Sequence, residues 1–443
     1  MTTFTHSRGG AAAHTVRELR DGLADGRCTA VGLVDHYLRE IDATAESVSA
    51  FVEVFAADAR RQAEESDGRR RAGGPLSAVD GIPFAVKDII GIRGRRMSAG
   101  SRAVDIVPEE DSPIIARLLA AGGIVLGTTR MHELAYGPSG LNDFDGGARN
   151  PRYPGIIPGG SSSGSAAAVA AGLSPIAFGS DTGGSIRAPA SLCGIHGFKP
   201  SYGLLPTGGV HPTAPTLDHL GFLGASVEDL RIVMSVFAGN GFLDGRAAGR
   251  RLAAFEDPGL EVDPAIAKAL RATLDALSDR GWEVESVTAP AGFDVMDVST
   301  TIMAYEAYRV NKERFEKTPE LIGADVRERL DDGSRVTRAQ YEAALQEVDR
   351  VREEVSALAA PYDALVNATI PVAAPSVEAA VRPDVRRMLM RNTRLQNLIG
   401  APAISLPGAH GGPNPWGVQL FSSRGTDTAL LATAAAVAAD LEA

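Results

Sequence analysis

Apolar residues recur at three- and four-residue steps along much of the chain, and the first such run follows Thr15. Thr15-Val16-Arg17-Glu18 is a capping box followed by Leu19 and Leu23, which predicts a helix ended by Gly26. Thr29 caps a second helix carrying Val31, Val34, Leu38 and Ile41 on one face. Ser49 to Phe55 reads as a short strand before another helix through Gln62, and Arg69-Arg70-Arg71 as a solvated loop. Ser112 to Ala121 reads as a helix and Gly123 to Gly127 as a strand, the alternation of an α/β protein. Ala166 to Ala171 has helix-forming composition, and Leu173 to Phe178 has that of a buried strand. Gly239 to Arg250 reads as a loop, Arg251 to Phe255 as a strand, and Pro264 opens a helix with Ile266, Leu270, Leu274 and Leu277 on one side. Trp282 to Val287 alternates as a strand does. Val295 to Ala360 is mostly helical, with breaks at Pro319 and at Asp331-Asp332-Gly333. Strands are predicted at Tyr362 to Val366, Ala403 to Pro407 and Trp416 to Phe421, and a closing helix from Thr426 to Leu441.

Two stretches break these patterns. Ile82 to Ile90 is apolar enough for a buried strand, yet Lys87 and Asp88 lie inside it. A buried lysine is tolerated when it is paired or functional, so a Lys–Asp ion pair and a reactive amine both stay open. The second stretch is Gly159 to Ala190, where two Gly/Ser clusters flank an apolar segment. A linker is polar throughout, and this stretch is not. Gly160-Ser161-Ser162-Ser163-Gly164 fits the G-x-S-x-G elbow, but that turn needs a preceding strand, and Asn150 to Gly155 reads as a loop. Ser-Gly turns aim backbone N–H groups into an anion-holding concavity, and a serine beside such donors has what acyl transfer needs.

Composition narrows the function. The chain has 443 residues, 44% hydrophobic and 22% charged, as an ordinary globular protein has. A formal charge of −11 argues against a nucleic-acid-binding surface. Cys28 and Cys193 make no disulfide framework and no C-x-x-C, which fits a reducing compartment. Met1 to Gly10 lacks an apolar signal region, and the longest apolar candidate, Ala166 to Ala177, is broken by Gly172 and Pro175. A cytoplasmic protein with no membrane contact is expected. His132-Glu133 is not a zinc motif, because no second histidine follows at helical spacing.

From Gly159 to Pro189 the sequence resembles, position by position, the signature of the amidase-signature hydrolases, and Gly81 to Asp88 resembles the segment holding that family's catalytic lysine. The resemblance is strong from Gly81 to Asp218 and weaker over the rest of the chain. It implies an α/β fold, a large mixed β-sheet flanked by helices on both faces, forming one amidase-signature domain over residues 1–443. Within it, residues 1–65 would be an N-terminal helical part, 81–225 the catalytic core, and 295–360 a variable helical lid or substrate wall. By the same resemblance Ser185 is the nucleophile, Ser161 the bridging serine and Lys87 the terminal base. The Gly160–Ser161 peptide is expected to be cis, and the backbone N–H groups of Thr182, Gly183, Gly184 and Ser185 to form the oxyanion hole. Met131 to Gly137 resembles a segment bordering the active site, so Met131, Tyr136 and Gly160 are expected to meet substrate. Asp181 and Arg187 would pin the loop, Ser162 and Ser163 support it, and Asp88 would be structural. Thr216 stands where the family usually has Ser, Phe222 where it often has Pro, and Asn367-Ala368-Thr369 replaces a Thr-Pro-Thr run.

The chemistry follows from these assignments. A serine hydroxyl needs a base, and lysine serves only when burial lowers its pKa. The expected activity is hydrolysis of a small-molecule amide, and also of carbamates or esters, through an acyl-enzyme. No cofactor or metal, and a monomer or homodimer, are expected. Two alternatives accompany this reading. One is an amidotransferase-type chain that works with a partner, and the other a Ser-His-Asp hydrolase using His196, the histidine nearest Ser185 in sequence.

Overall fold

Short, buried, β-branched or aromatic runs gather into one mixed sheet. The computed structural model describes residues 14–245, 249–408 and 415–442. Its strands are β1 (Phe51–Val54), β2 (Pro83–Lys87), β3 (Ile124–Thr129), β4 (Ile176–Asp181), β5 (His196–Lys199), β6 (His219–Gly224), β7 (Arg251–Glu256), β8 (Glu283–Thr288), β9 (Ala364–Ala368), β10 (Ala403–Pro407) and β11 (Gly417–Phe421). They form a single 11-stranded sheet in the order β1-β3-β2-β4-β6-β5-β10-β11-β9-β7-β8. The expected mixed α/β architecture is therefore present. β2 lies parallel to both β3 and β4, and β7 lies parallel to β8 and β9. Between these groups the strands run antiparallel.

Burial explains the central strands. Every residue of β2, β3, β4 and β6 is buried, as strands covered on both faces must be. Phe84, Phe178, Phe222 and Phe237 pack ring on ring, with centroids 4.9 to 5.9 Å apart. The small-residue helix Ser163–Ala170 is buried along its whole length and packs across β2, β3, β4 and β6. One hydrophobic cluster runs from Val16 through these strands to Val437.

Thr15 and Thr29 cap their helices as expected. Four other expectations need correcting. β5 and β6 carry histidine, glycine and lysine and escape a pattern that looks for apolar runs. Lys199 is tolerated in the interior because its Nζ donates to the carbonyls of Pro200 and Ala401 at 3.1 and 2.5 Å. Arg69–Arg71 is the last turn of the helix Ala56–Arg71, not a loop, and Arg69 pairs at 2.7 Å with the buried Asp80. Asp331–Gly333 lies inside the helix Ala324–Ser334. Gly333 serves close approach: a Cβ there would meet the Ala304 carbonyl at 2.3 Å, so the glycine lets this helix lie against Val295–Lys317. Gly241–Asp244 is a single helical turn within the expected loop, and residues 246–248 and Met1–Gly10 lie outside the described residues. No helix among the described residues is long and apolar enough to cross a membrane.

Candidate active site

The parallel trio β3-β2-β4 delivers its carboxyl ends to one edge, where open α/β sheets place their ligands. Lys87 is the last residue of β2, and Asp181 the last of β4. The chain turns after Asp181 through Thr182 to Ile186 and enters the helix Arg187–Cys193. The serine-rich turn at Ser161 comes from the other side, and the Gly160–Ser161 peptide is cis. Gly179 makes room between them, since a Cβ there would lie 3.0 Å from Ser162 Oγ and 2.9 Å from Ile186.

Lys87 is fully buried, and its Nζ lies 2.7 Å from Ser161 Oγ and 2.7 Å from Ser180 Oγ. Among the described residues no carboxylate pairs with it. Asp88 turns instead to the backbone and hydroxyl of Ser98, which closes the ion-pair alternative. Burial pulls the Lys87 amine down to about 7, and the more distant Asp181 and Asp218 only partly oppose this. Near neutral pH a large share of the amine is uncharged. The contact to Ser180 carries no signal in the sequence, because Ser180 is the penultimate residue of an otherwise ordinary strand.

Ser185 sits on the turn with its carbonyl accepting from Ser162 N–H at 3.2 Å. Ser162 Oγ donates to the Ser180 carbonyl at 3.1 Å, whereas Ser163 Oγ is buried without a partner, contrary to its expected supporting role. No hydrogen bond joins Ser161 Oγ to Ser185 Oγ among the described residues, so the structure brings Lys87 and Ser161 into contact and Ser185 alongside. The four expected oxyanion donors divide. Gly184 N–H already donates to Asp181 Oδ1 at 2.7 Å. The N–H groups of Thr182, Gly183 and Ser185 make no hydrogen bond among the described residues.

Asp181 and Arg187 hold this turn. Arg187 is fully buried and donates to both Asp181 oxygens at 3.1 and 2.9 Å, to Gln396 at 3.0 Å, Gln419 at 2.7 Å, Asn397 at 2.6 Å and the Thr393 carbonyl at 2.9 Å. Burial pushes the Asp181 carboxyl up, but the Arg187 guanidinium more than offsets this and holds it well below the usual carboxylate range. Asp181 also accepts from Ile186 N–H at 3.1 Å and Asn397 Nδ2 at 2.9 Å. Breaking a buried pair leaves an uncompensated charge, so Arg187→Met is expected to lower stability by about 3–5 kcal/mol. Arg187→Lys would replace few of these bonds, and urea unfolding of both variants checks the expectation. Asp218 fixes the start of the turn by accepting from Thr182 Oγ1 at 2.6 Å, while Thr216 turns away to Glu306 at 2.6 Å.

A cleft of about 270 Å³ opens over Ser185, Thr182 and Gly183, walled by Tyr136, Met303 and Arg394. Of the three residues expected to meet substrate, only Tyr136 lines it. Met131 packs inward beneath Gly100, and Gly160 N–H is tied to the Pro138 carbonyl at 2.6 Å. Met303 and Arg394 are not legible individually in the sequence, because they come from helices far along the chain. Arg394 donates to Ser299 and Thr300 hydroxyls at 2.9 and 2.7 Å, and burial lowers its pKa to about 10. His196 lies in β5, where burial takes its pKa down to about 4, and no histidine among the described residues hydrogen-bonds Ser185. The Ser-His-Asp alternative has no geometry behind it.

Comparison with known proteins gives the family. A family model described as Amidase matches residues 32–431. The chain is similar to a glutamyl-tRNA(Gln) amidotransferase subunit of Methanothermobacter thermautotrophicus, 31% identical over 425 residues, covering 90% of this chain and 93% of that one. The corresponding subunit of Roseiflexus sp. (strain RS-1) is 33% identical over 468 residues, covering 94% of each. Among solved structures, one described as "Crystal structure of amidase" superposes with a TM-score of 0.90 at 31% identity, covering 97% of this chain and 100% of that one.

Proposed function

The chain belongs to the amidase family, and on that premise we propose that it hydrolyses the C–N bond of a small-molecule amide through an acyl-enzyme on Ser185. One observation carries the reading: a fully buried lysine with no carboxylate partner among the described residues, bonded to Ser161 beside Ser185. Uncharged Lys87 accepts a proton from Ser161 as Ser161 takes one from Ser185. Ser185 Oγ then attacks the amide carbonyl. The unpartnered N–H groups of Thr182, Gly183 and Ser185 hold the developing oxyanion, and each such donor is worth about 3–4 kcal/mol. The relay next protonates the leaving nitrogen and activates water to release the acid. Carbamates and esters offer the same carbonyl beside a leaving heteroatom. Helices Val295–Lys317 and Ala324–Ser334 supply the substrate wall, and the Arg394 guanidinium beside Gly183 favours a polar substrate group near the reacting carbonyl.

The pH profile tests this reading. Below about pH 7 the Lys87 ammonium dominates and accepts no proton, so kcat/KM is expected to rise with pH and level off above about 7. A profile flat from about pH 5 to 9 contradicts the lysine relay.

A second reading is favoured by the curated relatives, which are amidotransferase subunits matched over nearly their whole length. It shares the acyl-enzyme and differs in the fate of the nitrogen, passed to an acceptor held by a partner chain. Native-source copurification separates the two. A chain isolated alone and active on amides without any partner supports hydrolysis. A stoichiometric second chain on which turnover depends supports the amidotransferase reading.

A further inference from the structure

A larger cavity, about 400 Å³, lies away from the nucleophile and is not used by this chemistry. It sits where the parallel strands β7 and β9 end, the edge at which open α/β sheets take ligands, and its volume falls in the range of small-molecule sites. Its floor is apolar, with Phe255, Leu270, Phe293 and Leu395. Its polar groups are unevenly satisfied. Glu256 accepts from Ser286 Oγ at 3.1 Å and Asp257 from Gly259 N–H at 2.9 Å, so both carboxylates are engaged. The donors are not. Gln396 is fully buried, and its Nε2 has no partner. Asn367 accepts from Gln419 Nε2 at 2.8 Å, and its own Nδ2 donates to nothing among the described residues. Arg391 contacts only Met388 Sδ at 3.4 Å, with no carboxylate beside it among the described residues. Of these only Gln396 Nε2 is a buried unsatisfied donor, at a cost of about 1–3 kcal/mol, whereas the half-buried Arg391 guanidinium and Asn367 Nδ2 are open to an acceptor from outside the chain.

We propose that this cavity is a second ligand site for a small monocarboxylate with an apolar body, and that its occupancy is felt at the nucleophile turn. The carboxylate meets Arg391 and Asn367 Nδ2, with the buried Gln396 packed beneath them, and the apolar body lies along Phe255, Leu270 and Phe293. The route to the turn is short and continuous. Gln396 Oε1 accepts from Arg187, and Asn367 is bonded to Gln419, which also accepts from Arg187. Arg187 in turn holds Asp181, which accepts from the N–H groups of Gly184 and Ile186 on either side of Ser185. A ligand that fixes Gln396 and Asn367 steadies this cradle. Asn367 and Ala368, two of the residues at which the sequence departs from the family's Thr-Pro-Thr run, both line the cavity. The binding half stands independently of the proposed activity, whereas the coupling half rests on Ser185 as nucleophile.

Calorimetric titration of the full chain with hexanoate, and with hexan-1-ol as an uncharged control that has no acyl carbon to attack, tests the binding half. One hexanoate per chain is expected, with Kd between about 10 μM and about 1 mM, and hexan-1-ol at least about tenfold weaker. Leu270→Trp, which fills the cavity, is expected to abolish binding, and Arg391→Met to weaken it about tenfold or more. Met303→Trp, which fills the catalytic cleft instead, is expected to leave it intact. Circular dichroism checks that each variant is folded, and Arg391→Met decides the matter should Leu270→Trp fail to fold. Absent binding, equal binding of hexan-1-ol, indifference to both cavity variants, or loss with Met303→Trp each overturns the site. For the coupling, saturating hexanoate is expected to speed fluorophosphonate labelling of Ser185 about fivefold or more, but not in Arg391→Met. Binding without any change in labelling removes the coupling and leaves the site.

Discussion

Ser185→Ala is expected to lower kcat/KM for every amide the protein turns over by about 10⁶-fold, the loss typical of a deleted nucleophile. Ser161→Ala is expected to cost less, about 10²–10⁴-fold, because in the proposed mechanism it removes a proton relay and not the atom that carries the acyl group. The asymmetry follows from position. Ser185 lies on the turn with three backbone N–H groups that have no partner among the described residues, while Ser161 is the serine bonded to Lys87 at 2.7 Å. Both variants should remain folded, since losing one hydroxyl costs about 1–3 kcal/mol against a native stability of about 5–15 kcal/mol. Initial rates on one amide substrate, with circular dichroism of each variant, measure the difference. Equal losses would assign the two serines equal roles.

The second large effect concerns Lys87. Lys87→Met and Lys87→Arg are both expected to reduce turnover by about 10²–10⁴-fold, and the equality is the informative part. Arginine keeps the positive charge but does not give up its proton in a protein, so it supplies a cation and no base. Were Lys87 only a positive charge stabilising the turn, arginine would rescue and methionine would not. Stability carries a matching signature. The folded pKa of Lys87 is depressed to about 7, so between that value and the ordinary lysine pKa the unfolded chain binds more protons than the folded one. Stability contributed through this group therefore rises with pH across that window, and its penalty is fully present below about pH 7. Lys87→Met is expected to flatten that rise in urea midpoints, with little loss of stability at pH 7.

Much of the site is legible in the sequence because its chemistry distorts local patterns. A lysine inside Ile82 to Ile90 and paired Gly/Ser clusters around an apolar run are visible without coordinates. What is not legible depends on long-range packing. Ser180 is found only because β4 runs beside β2, and the Arg187 partners Thr393, Gln396, Asn397 and Gln419 lie some two hundred residues along the chain. Gly184 has the sequence context of an oxyanion donor, but Asp181 holds its N–H. Most strands follow from period and composition. β5 and β6 do not, because their histidines, glycines and lysine are made tolerable by bonds across the fold. The glycine at 333 reads as a helix break and serves helix contact.

The most direct measurement traps the protein with a fluorophosphonate and maps the adduct by peptide mass spectrometry. A single adduct on Ser185 is expected, slower to form in Ser161→Ala and absent in Ser185→Ala. An adduct on Ser161 or Ser162, or one that persists in Ser185→Ala, would contradict it.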